Sequence, residues 1–453
     1  MYMDNEISIA LTGDSIMMRK ISMYEDERTK ALYDKIKAAH IAFTNLEIVP
    51  NDFLGYPAAR TDGAPVWAHS YIIDDLMRLG FNLFSCANNH AGDYGIEGLL
   101  ATIDELNKRN ISYAGIGKNL TEARMPVYHS VSGGTVALIA CTSTFFEEQA
   151  AGEARPEVQG RPGVNPLRFD VEYEVTVDQM EKLKEIYEAL GLDKQRRAFV
   201  QQGFAADPTD PKVMHVVDFN LRAAGTLNAT FRAGNSPGVR TKPNPKDMNE
   251  LIKWTKEAKR RADVVIVSIH SHEQGEEQEE PAPFIKAFAR SMIDHGADLI
   301  VGHGSHYLKG IEMYKDCPIF YSLGNFIGQN ELISKLPNET YDRFKVDRSL
   351  TPSEIFHLRS DGGKKGFVAD SKYWETVMPV CRFKDGQLTK LELHPISLTH
   401  GDMPFKRGRP YLSDPEAGIG IMNKMSGFSR ALHTSIRIEP SGEGVVELGQ
   451  SDR

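Results

Sequence analysis

The sequence predicts an α/β fold built on a mostly parallel sheet, with its chemistry along one edge. Three observations carry that expectation. Short apolar runs alternate with segments whose apolar residues recur at helical spacing. The run Val264–Ile269 is apolar without a break, as in a strand covered on both faces. Five of the strand-like runs end in residues that can ligate a metal or move a proton, where an open α/β sheet places its site.

Taken in order, Ile7–Leu11 reads as the first strand and ends in Thr12-Gly13-Asp14-Ser15. A charged segment from Tyr24 to Ala39 predicts a helix. Ile41–Thr44 is the next strand and ends in Asn45-Leu46-Glu47. A loop over 50–70 and a short helix, Tyr71–Leu79, lead to a strand over Phe81–Cys86. The loop after it holds Asn88, Asn89, His90 and Asp93. Behind that loop, Ile96, Leu99, Leu100, Ile103 and Leu106 mark one face of a helix. Ile111–Ala114 and Thr135–Cys141 are further strands.

Between 143 and 245, Pro, Gly and charge increase and strand signals thin. Only Val177–Leu190 stands out there, as an amphipathic helix. The segment is expected to be a cap-like insertion. Regular alternation resumes with a helix over Asp247–Arg261 and the strand Val264–Ile269, ending in His270-Ser271-His272-Glu273. A helix over Ala282–His295 follows, then Leu299–Val301, which ends in Gly302-His303-Gly304-Ser305-His306. Pro318–Tyr321 and Leu323–Phe326 come next. Residues 330–372 read as an irregular loop region. Thr376–Phe383 and Leu388–Leu393 form a hairpin turned at Asp385-Gly386. A short helix over Ala417–Met425 and a strand near Ile436 close the chain. The expected organisation is one domain over 1–398, with an extension over 399–453 packed on it.

Composition narrows the function classes. The chain has 453 residues, 41% hydrophobic and 25% charged, as in ordinary soluble globular proteins. A formal net charge of −9 argues against a nucleic-acid partner. The N-terminus lacks a basic start and apolar stretch, and no run is long enough to span a bilayer, so a cytoplasmic protein is expected. The four cysteines show no C-x-x-C spacing, and Cys86, Cys141 and Cys381, in strand-like apolar surroundings, read as buried free thiols.

In a parallel sheet the strand C-termini share one edge, so Asp14, Asn45, Glu47, Asn89, His90, His270, His303 and His306 are expected to meet in one crevice. Two carboxylates, an amide and several imidazoles without thiolate suit one or two divalent ions, zinc, manganese or iron.

The motifs Gly13-Asp14-Ser15, Asn45-Leu46-Glu47, Ala87-Asn88-Asn89-His90-x-x-Asp93-Tyr94-Gly95, Ser268-Ile269-His270, Gly302-His303-x-x-His306 and Tyr321–Phe326 resemble those of the CapA family, the poly-γ-glutamate capsule-synthesis type among the calcineurin-like metallophosphoesterases. The resemblance implies a four-layer α/β/β/α sandwich. It implies Asp14 and His306 on one ion, Asn89, His270 and His303 on the other, and Glu47 between them. It casts His90 as the catalytic histidine with Asp93 orienting it. Asn45, His272, Glu273 and Asn325 are additional candidates at the site. Two departures are visible: Ile16 stands where the superfamily usually has a histidine, and His270-Ser-His272-Glu273 replaces the common His-Trp-Gly. The first departure predicts unequal ion sites.

Three functions follow. The first is a metal-dependent hydrolase of an amide, γ-glutamyl or phosphoester bond, with His90 protonating the leaving group. The second is a peptide or amino-acid epimerase. The third is a non-catalytic polyglutamate synthesis or assembly factor. The partner is a small-molecule, peptide or polymer substrate. Arg60, Arg168, Arg240, Lys242 and Lys309 are candidate contacts to an anionic one.

Overall fold

The computed structural model describes residues 5–218, 228–401 and 405–448. Two compact units emerge. The first comprises the described residues of Met1–Leu167, Lys246–Pro281 and Phe288–Arg453, and the second those of Arg168–Pro245 and Ala282–Ala287.

The first unit is α/β and holds two large sheets. The ten-stranded one runs, in spatial order, Ile436–Ile438, Gly444–Val446, Gln387–Leu398, Glu375–Lys384, Glu6–Ile16, Ile41–Asn45, Leu83–Ser85 and Ser112–Ala114. Asn325–Gly328 pairs with Glu6–Ile16, and Pro410–Leu412 with Gln387–Leu398. Only its half from Glu6–Ile16 to Ser112–Ala114, with Asn325–Gly328, is parallel. The other half is antiparallel, because Glu375–Lys384 and Gln387–Leu398 are joined by the tight turn at Asp385-Gly386. The six-stranded sheet runs Ile311–Tyr314, Cys317–Phe320, Leu299–Gly304, Val264–Ser271, Gly134–Thr142 and Val127–Val131, with its four inner strands parallel.

Period-two alternation explains how the layers form. Ile7, Ile9, Leu11, Ile41, Phe43 and Leu83 of the first sheet share one buried cluster with Val136, Leu138, Ala140, Val264, Ile266, Leu299 and Val301 of the second. The intervening residues, Ala10, Ala42 and Phe84, face a different cluster. There they meet Leu32 and Ile36 of helix Glu27–Ala38, Ile72 and Leu76 of helix Tyr71–Leu79, and Leu99 and Ile103 of helix Gly95–Lys108. Every residue of Val264–Ser271 is buried, as its unbroken apolar run requires. Helices Pro245–Lys259 and Pro283–Asp294 touch through the Thr255 hydroxyl, 3.5 Å from the Met292 sulfur.

The strands outrun their apolar cores. Asp14 lies within Glu6–Ile16, His270 within Val264–Ser271 and His303 within Leu299–Gly304, where the sequence suggests loops. Pairing on both sides holds them in the ladder: Asp14 opposes Asn45 and Asn325, and His270 opposes His303. The 330–372 region also corrects the expectation, since it contains helices Asn338–Phe344 and Pro352–Arg359. The second begins at a capping box, Thr351 with Glu354, and Pro352 at its first turn. All four cysteines are free, and Cys86, Cys141 and Cys381 are buried.

The second unit has its own four-stranded sheet, ordered Val213–Val217, Asn228–Gly234, Phe169–Thr176, Gly238–Pro243. Helices Val177–Ala189 and Leu192–Gln201 accompany it, with Tyr187, Leu192 and Val216 as a small core. Only the first of these helices is expected from the sequence; Leu192–Gln201 is short and charged, whereas the strand Phe169–Thr176 does alternate apolar and charged residues as a half-buried strand should.

Gly13 lets the first strand approach Leu323-Gly324, where the Asp14 amide donates to the Gly324 carbonyl at 2.9 Å. A Cβ on Gly13 would overlap that carbonyl oxygen. Gly13→Ala should therefore destabilise the chain by about 2–3 kcal/mol, as overpacking of a fixed backbone does. Urea unfolding measures it, and an unchanged midpoint would refute the close-packing argument.

Candidate metal centre and its cleft

The parallel registers build the site. Asp14, Asn45 and Asn325 are neighbours across one sheet, and His270 and His303 across the other. The Gly304 amide donates to Asp14 Oδ2 at 2.9 Å and so ties the two sheets at this edge. Gly304 has φ +108, a conformation that favours glycine, and a Cβ there would press on Ser271.

Three groups of side chains place ligand atoms within 4.8 Å of one another: Asp14, Glu47 and His306; Glu47, His270 and His272; and Asp14, His270 and His303. His306 Nε2 and His270 Nε2 stand 3.7 and 3.8 Å from Glu47 Oε1. His272 Nε2 is 3.2 Å from His270 Nε2. His303 points Nδ1 at His270 Nδ1, 3.0 Å away, and Nε2 at the Ser268 hydroxyl, 2.8 Å away. The resemblance sets His303 beside His270, and the two stand together with Asp14; His272 stands with Glu47 and His270 as a further imidazole.

Asp14 and Glu47 are both fully buried. Asp14 accepts from the Asn45 amide at 2.8 Å and from Gly304. Burial pushes its pKa up, but the His306 hydrogen bond and the nearby imidazoles outweigh that and hold it well below the carboxylate range. Glu47 has no such help: both its oxygens lack a hydrogen-bond partner among the described residues. Burial, reinforced by the Asp14 charge, raises its pKa well above the ordinary value. Asn89 Oδ1 is likewise buried and unpartnered, while its Nδ2 donates to Asp62 at 3.2 Å. A buried carboxylate and amide oxygen without donors, ringed by imidazoles, are what a divalent cation satisfies. The donor set fits the ions that the sequence suggests. Burial lowers the pKa of His303 to about 4 and that of His270 well below its usual value, so both rings are neutral and free to ligate at neutral pH.

His90 is set apart. Its Nδ1 meets Asp93 Oδ2 at 2.7 Å, and its Nε2 lies 4.0 Å from Glu47 Oε1. Asp93 is pinned in turn by the Val66 amide at 2.7 Å. Burial works against the imidazolium, yet the charge and hydrogen bond of Asp93 prevail and the His90 pKa is raised.

The remaining candidates fall into two kinds. Asn45 orients Asp14, and Asn325 Oδ1 lies 3.0 Å from His306 Nδ1, so both act on ligands. Glu273 stays outside the cluster, its carboxylate accepting from the hydroxyls of Ser143, Thr144 and Ser271. Asp62, in the loop the sequence leaves plain, pairs with His272 Nδ1 at 3.3 Å. Hydrogen bonding to His272 holds the Asp62 pKa down at about 2.

A cleft of about 390 Å³ opens over this cluster. Asn89, His90, His272 and His306 form its floor with Ile16 and Asp62. Its other wall comes from 330–372, through Phe356, Arg359, Lys365 and Phe367, with the Phe367 ring 5.2 Å from that of His306. The sequence offered different cations. Lys309 is buried and bonds the Glu273 carbonyl, Arg60 lies over the Phe146 ring, and Arg168, Arg240 and Lys242 belong to the second unit.

Two predictions follow from the ligand sets. The group of His270, His272 and Glu47 has two imidazoles, whereas Asp14, Glu47 and His306 supply one, with the apolar Ile16 also bordering the cleft. Titration against a chelator should show one tight ion and one weak one. His272→Ala should weaken the tight step by at least about 10–100-fold, and Ile16→His should strengthen the weak one. Two equally tight ions would refute the asymmetry. Because the Glu47 pKa is raised, an ion must displace its proton, so affinity should fall by up to about tenfold for each pH unit of acidification below that pKa. Glu47→Gln should flatten that slope.

A family model described as bacterial capsule synthesis protein PGA_cap matches residues 8–330. An uncharacterized protein, y4sH, of Sinorhizobium fredii is 32% identical over 442 residues, covering 95% of this chain and 91% of that protein. The PGA biosynthesis protein CapA of Bacillus subtilis is 26% identical over 332 residues, covering 72% and 64%. A probable polyglutamine synthesis accessory protein of Mycobacterium tuberculosis is 37% identical over 263 residues, covering 58% and 49%. Among the described residues no helix is long and apolar enough to cross a membrane.

Proposed function

The chain belongs to the bacterial capsule synthesis (PGA_cap, CapA) family, and from that premise we propose that it is a metal-dependent hydrolase of an amide bond, of the γ-glutamyl type, on a metallophosphoesterase-like α/β/β/α sandwich. The observation that carries the reading is the His90–Asp93 pair beside the unpartnered Glu47 carboxylate, at the floor of an open cleft. The amide preference is supported by the names of the relatives, which speak of PGA biosynthesis and polyglutamine synthesis.

Divalent ions, which Asp14, Glu47, Asn89, His270, His272, His303 and His306 would hold, would supply Lewis acidity and lower the pKa of water. The chain's own groups do the rest. Asp93 fixes the His90 ring through Nδ1 and favours its protonated form, which leaves Nε2 as the proton donor to the leaving amine. Asn45 and Asn325 hold Asp14 and His306 in place. Ile16, Val66 and Phe367 line the cleft with apolar surface that restricts water.

The relatives' names favour a second reading, a non-catalytic accessory factor in polymer synthesis. A pure binder has no use for a buried, carboxylate-oriented imidazole. His90→Ala should keep its metal and lose turnover of γ-glutamyl amides by roughly 10²–10⁴-fold. With a raised His90 pKa, the acid form is complete at low pH and is lost as pH rises through that pKa, so the rate should fall on the alkaline side. Asp93→Asn should move that alkaline limb to lower pH. An unmodified, metal-loaded protein that turns over neither amides nor phosphoesters would leave the accessory reading standing.

A further inference from the structure

The wall of the cleft contributed by 330–372 carries an arginine that no carboxylate pairs with among the described residues. Arg359 ends helix Pro352–Arg359 and lines the cleft with His90, His272 and His306. Its guanidinium lies 3.8 Å from the centre of the Phe344 ring. Its charged neighbour is Arg343, on helix Asn338–Phe344, whose Nη1 and Nη2 donate to the Thr61 carbonyl and hydroxyl at 2.6 and 3.0 Å. Among the described residues no carboxylate reaches ion-pair distance of either arginine.

The acids close by are already engaged. Asp342 pairs with Arg348 at 2.8 Å, Glu331 with Arg407 at 2.5 Å, and Asp62 with His272 at 3.3 Å. Lys365, also in the wall, is 3.5 Å from the exposed Asp361. Burial lowers the Arg359 pKa, and the Arg343 charge lowers it further, so the two guanidiniums repel each other. Both are oriented in advance, one by the Phe344 ring and one by Thr61. A planar donor fork held in this way suits a carboxylate or phosphate. A bound anion would remove the repulsion.

We propose that Arg359, with Arg343 behind it, binds an anionic group of the substrate, a carboxylate or phosphate set apart from the group that meets the His90 and Glu47 floor. The cleft thus selects molecules with an anion at one end and the reacting bond at the other. The proposal rests on the hydrolase reading only in taking the occupant as a substrate.

The test uses the full chain, freed of metal by chelation, so that no anion can be held by an ion. Glutarate and inorganic phosphate are titrated by calorimetry, with neutral glutaramide as the control. The unmodified chain should bind at least one of the two anions and not glutaramide, and the tighter of the two identifies the anion class. R359A should weaken that binding by roughly 10–100-fold, as loss of a charged hydrogen-bond pair does, and R359K should recover part of it. R359Q, which keeps part of the aliphatic stem under an uncharged polar head, replaces R359A should the latter fail to fold. Anion binding by these neutral variants equal to that of the unmodified chain would overturn the proposal. So would glutaramide binding as tight as glutarate, or no anion binding at all. Neither metal nor turnover enters the measurement, so the anion site and the hydrolase reading stand or fall separately.

Discussion

The structure turns on two carboxylates, Asp14 and Glu47, buried together where its two sheets meet. Burying a charge is tolerated only when donors or counter-ions replace water. Asp14 receives donors from both sheets, through Asn45 and the Gly304 amide, and stays ionised. Glu47 receives none, so it awaits a proton or a cation. The other features at this edge follow from that inequality. Strands continue past their apolar cores to hold ligands in register, and Gly13 and Gly304 let backbones approach that side chains would keep apart.

The same environment sorts the histidines by role. His270 and His303 lie in the low-dielectric floor and are held neutral, as ligands must be. His90 is equally enclosed, but Asp93 reverses the outcome and favours its charged form. His270 and His303 face Asp14 too, at 3.8 and 3.4 Å, but burial outweighs that charge, whereas the hydrogen bond between His90 and Asp93 at 2.7 Å adds enough to tip the balance the other way.

Much of this was legible in the sequence because the strand-end positions are short-range signals. Polar residues placed straight after the apolar runs at Leu11, Thr44, Ile269 and Val301 mark the site without any knowledge of tertiary contacts. The role of His272 was less so, since its spacing from His270 does not tell which ring turns inward. The sheet of the second unit escaped notice although Phe169–Thr176 alternates apolar and charged residues, a readable pattern for a half-buried strand; Gly238–Pro243, with Val239 as its one large aliphatic side chain, gives no such signal. Helices Asn338–Phe344 and Pro352–Arg359 span only about two turns each, too short for a helical stripe, although Thr351-Pro-Ser-Glu354 was a readable start signal. The arginines that matter to the cleft sit on those two helices. Charge counts could not single them out, since their isolation depends on where Asp342, Glu331 and Asp62 spend their own charges.

The choice between a catalyst and a binder bears on why the His90–Asp93 pair is kept. Asp93 has a structural use, accepting the Val66 amide, but a neutral acceptor such as asparagine could serve the backbone equally well. Burial raises the Asp93 pKa, so holding it as a partner to His90 carries a desolvation cost. His90 stands 4.0 Å from the buried Glu47 and opens into the cleft, where an apolar residue would pack without that cost. A fold selected only to hold an anionic polymer would have cations at its rim and would gain nothing from a proton donor in its floor. On the proposed hydrolase reading the pair has a use that offsets this cost, protonation of a leaving group where His90 borders the cleft.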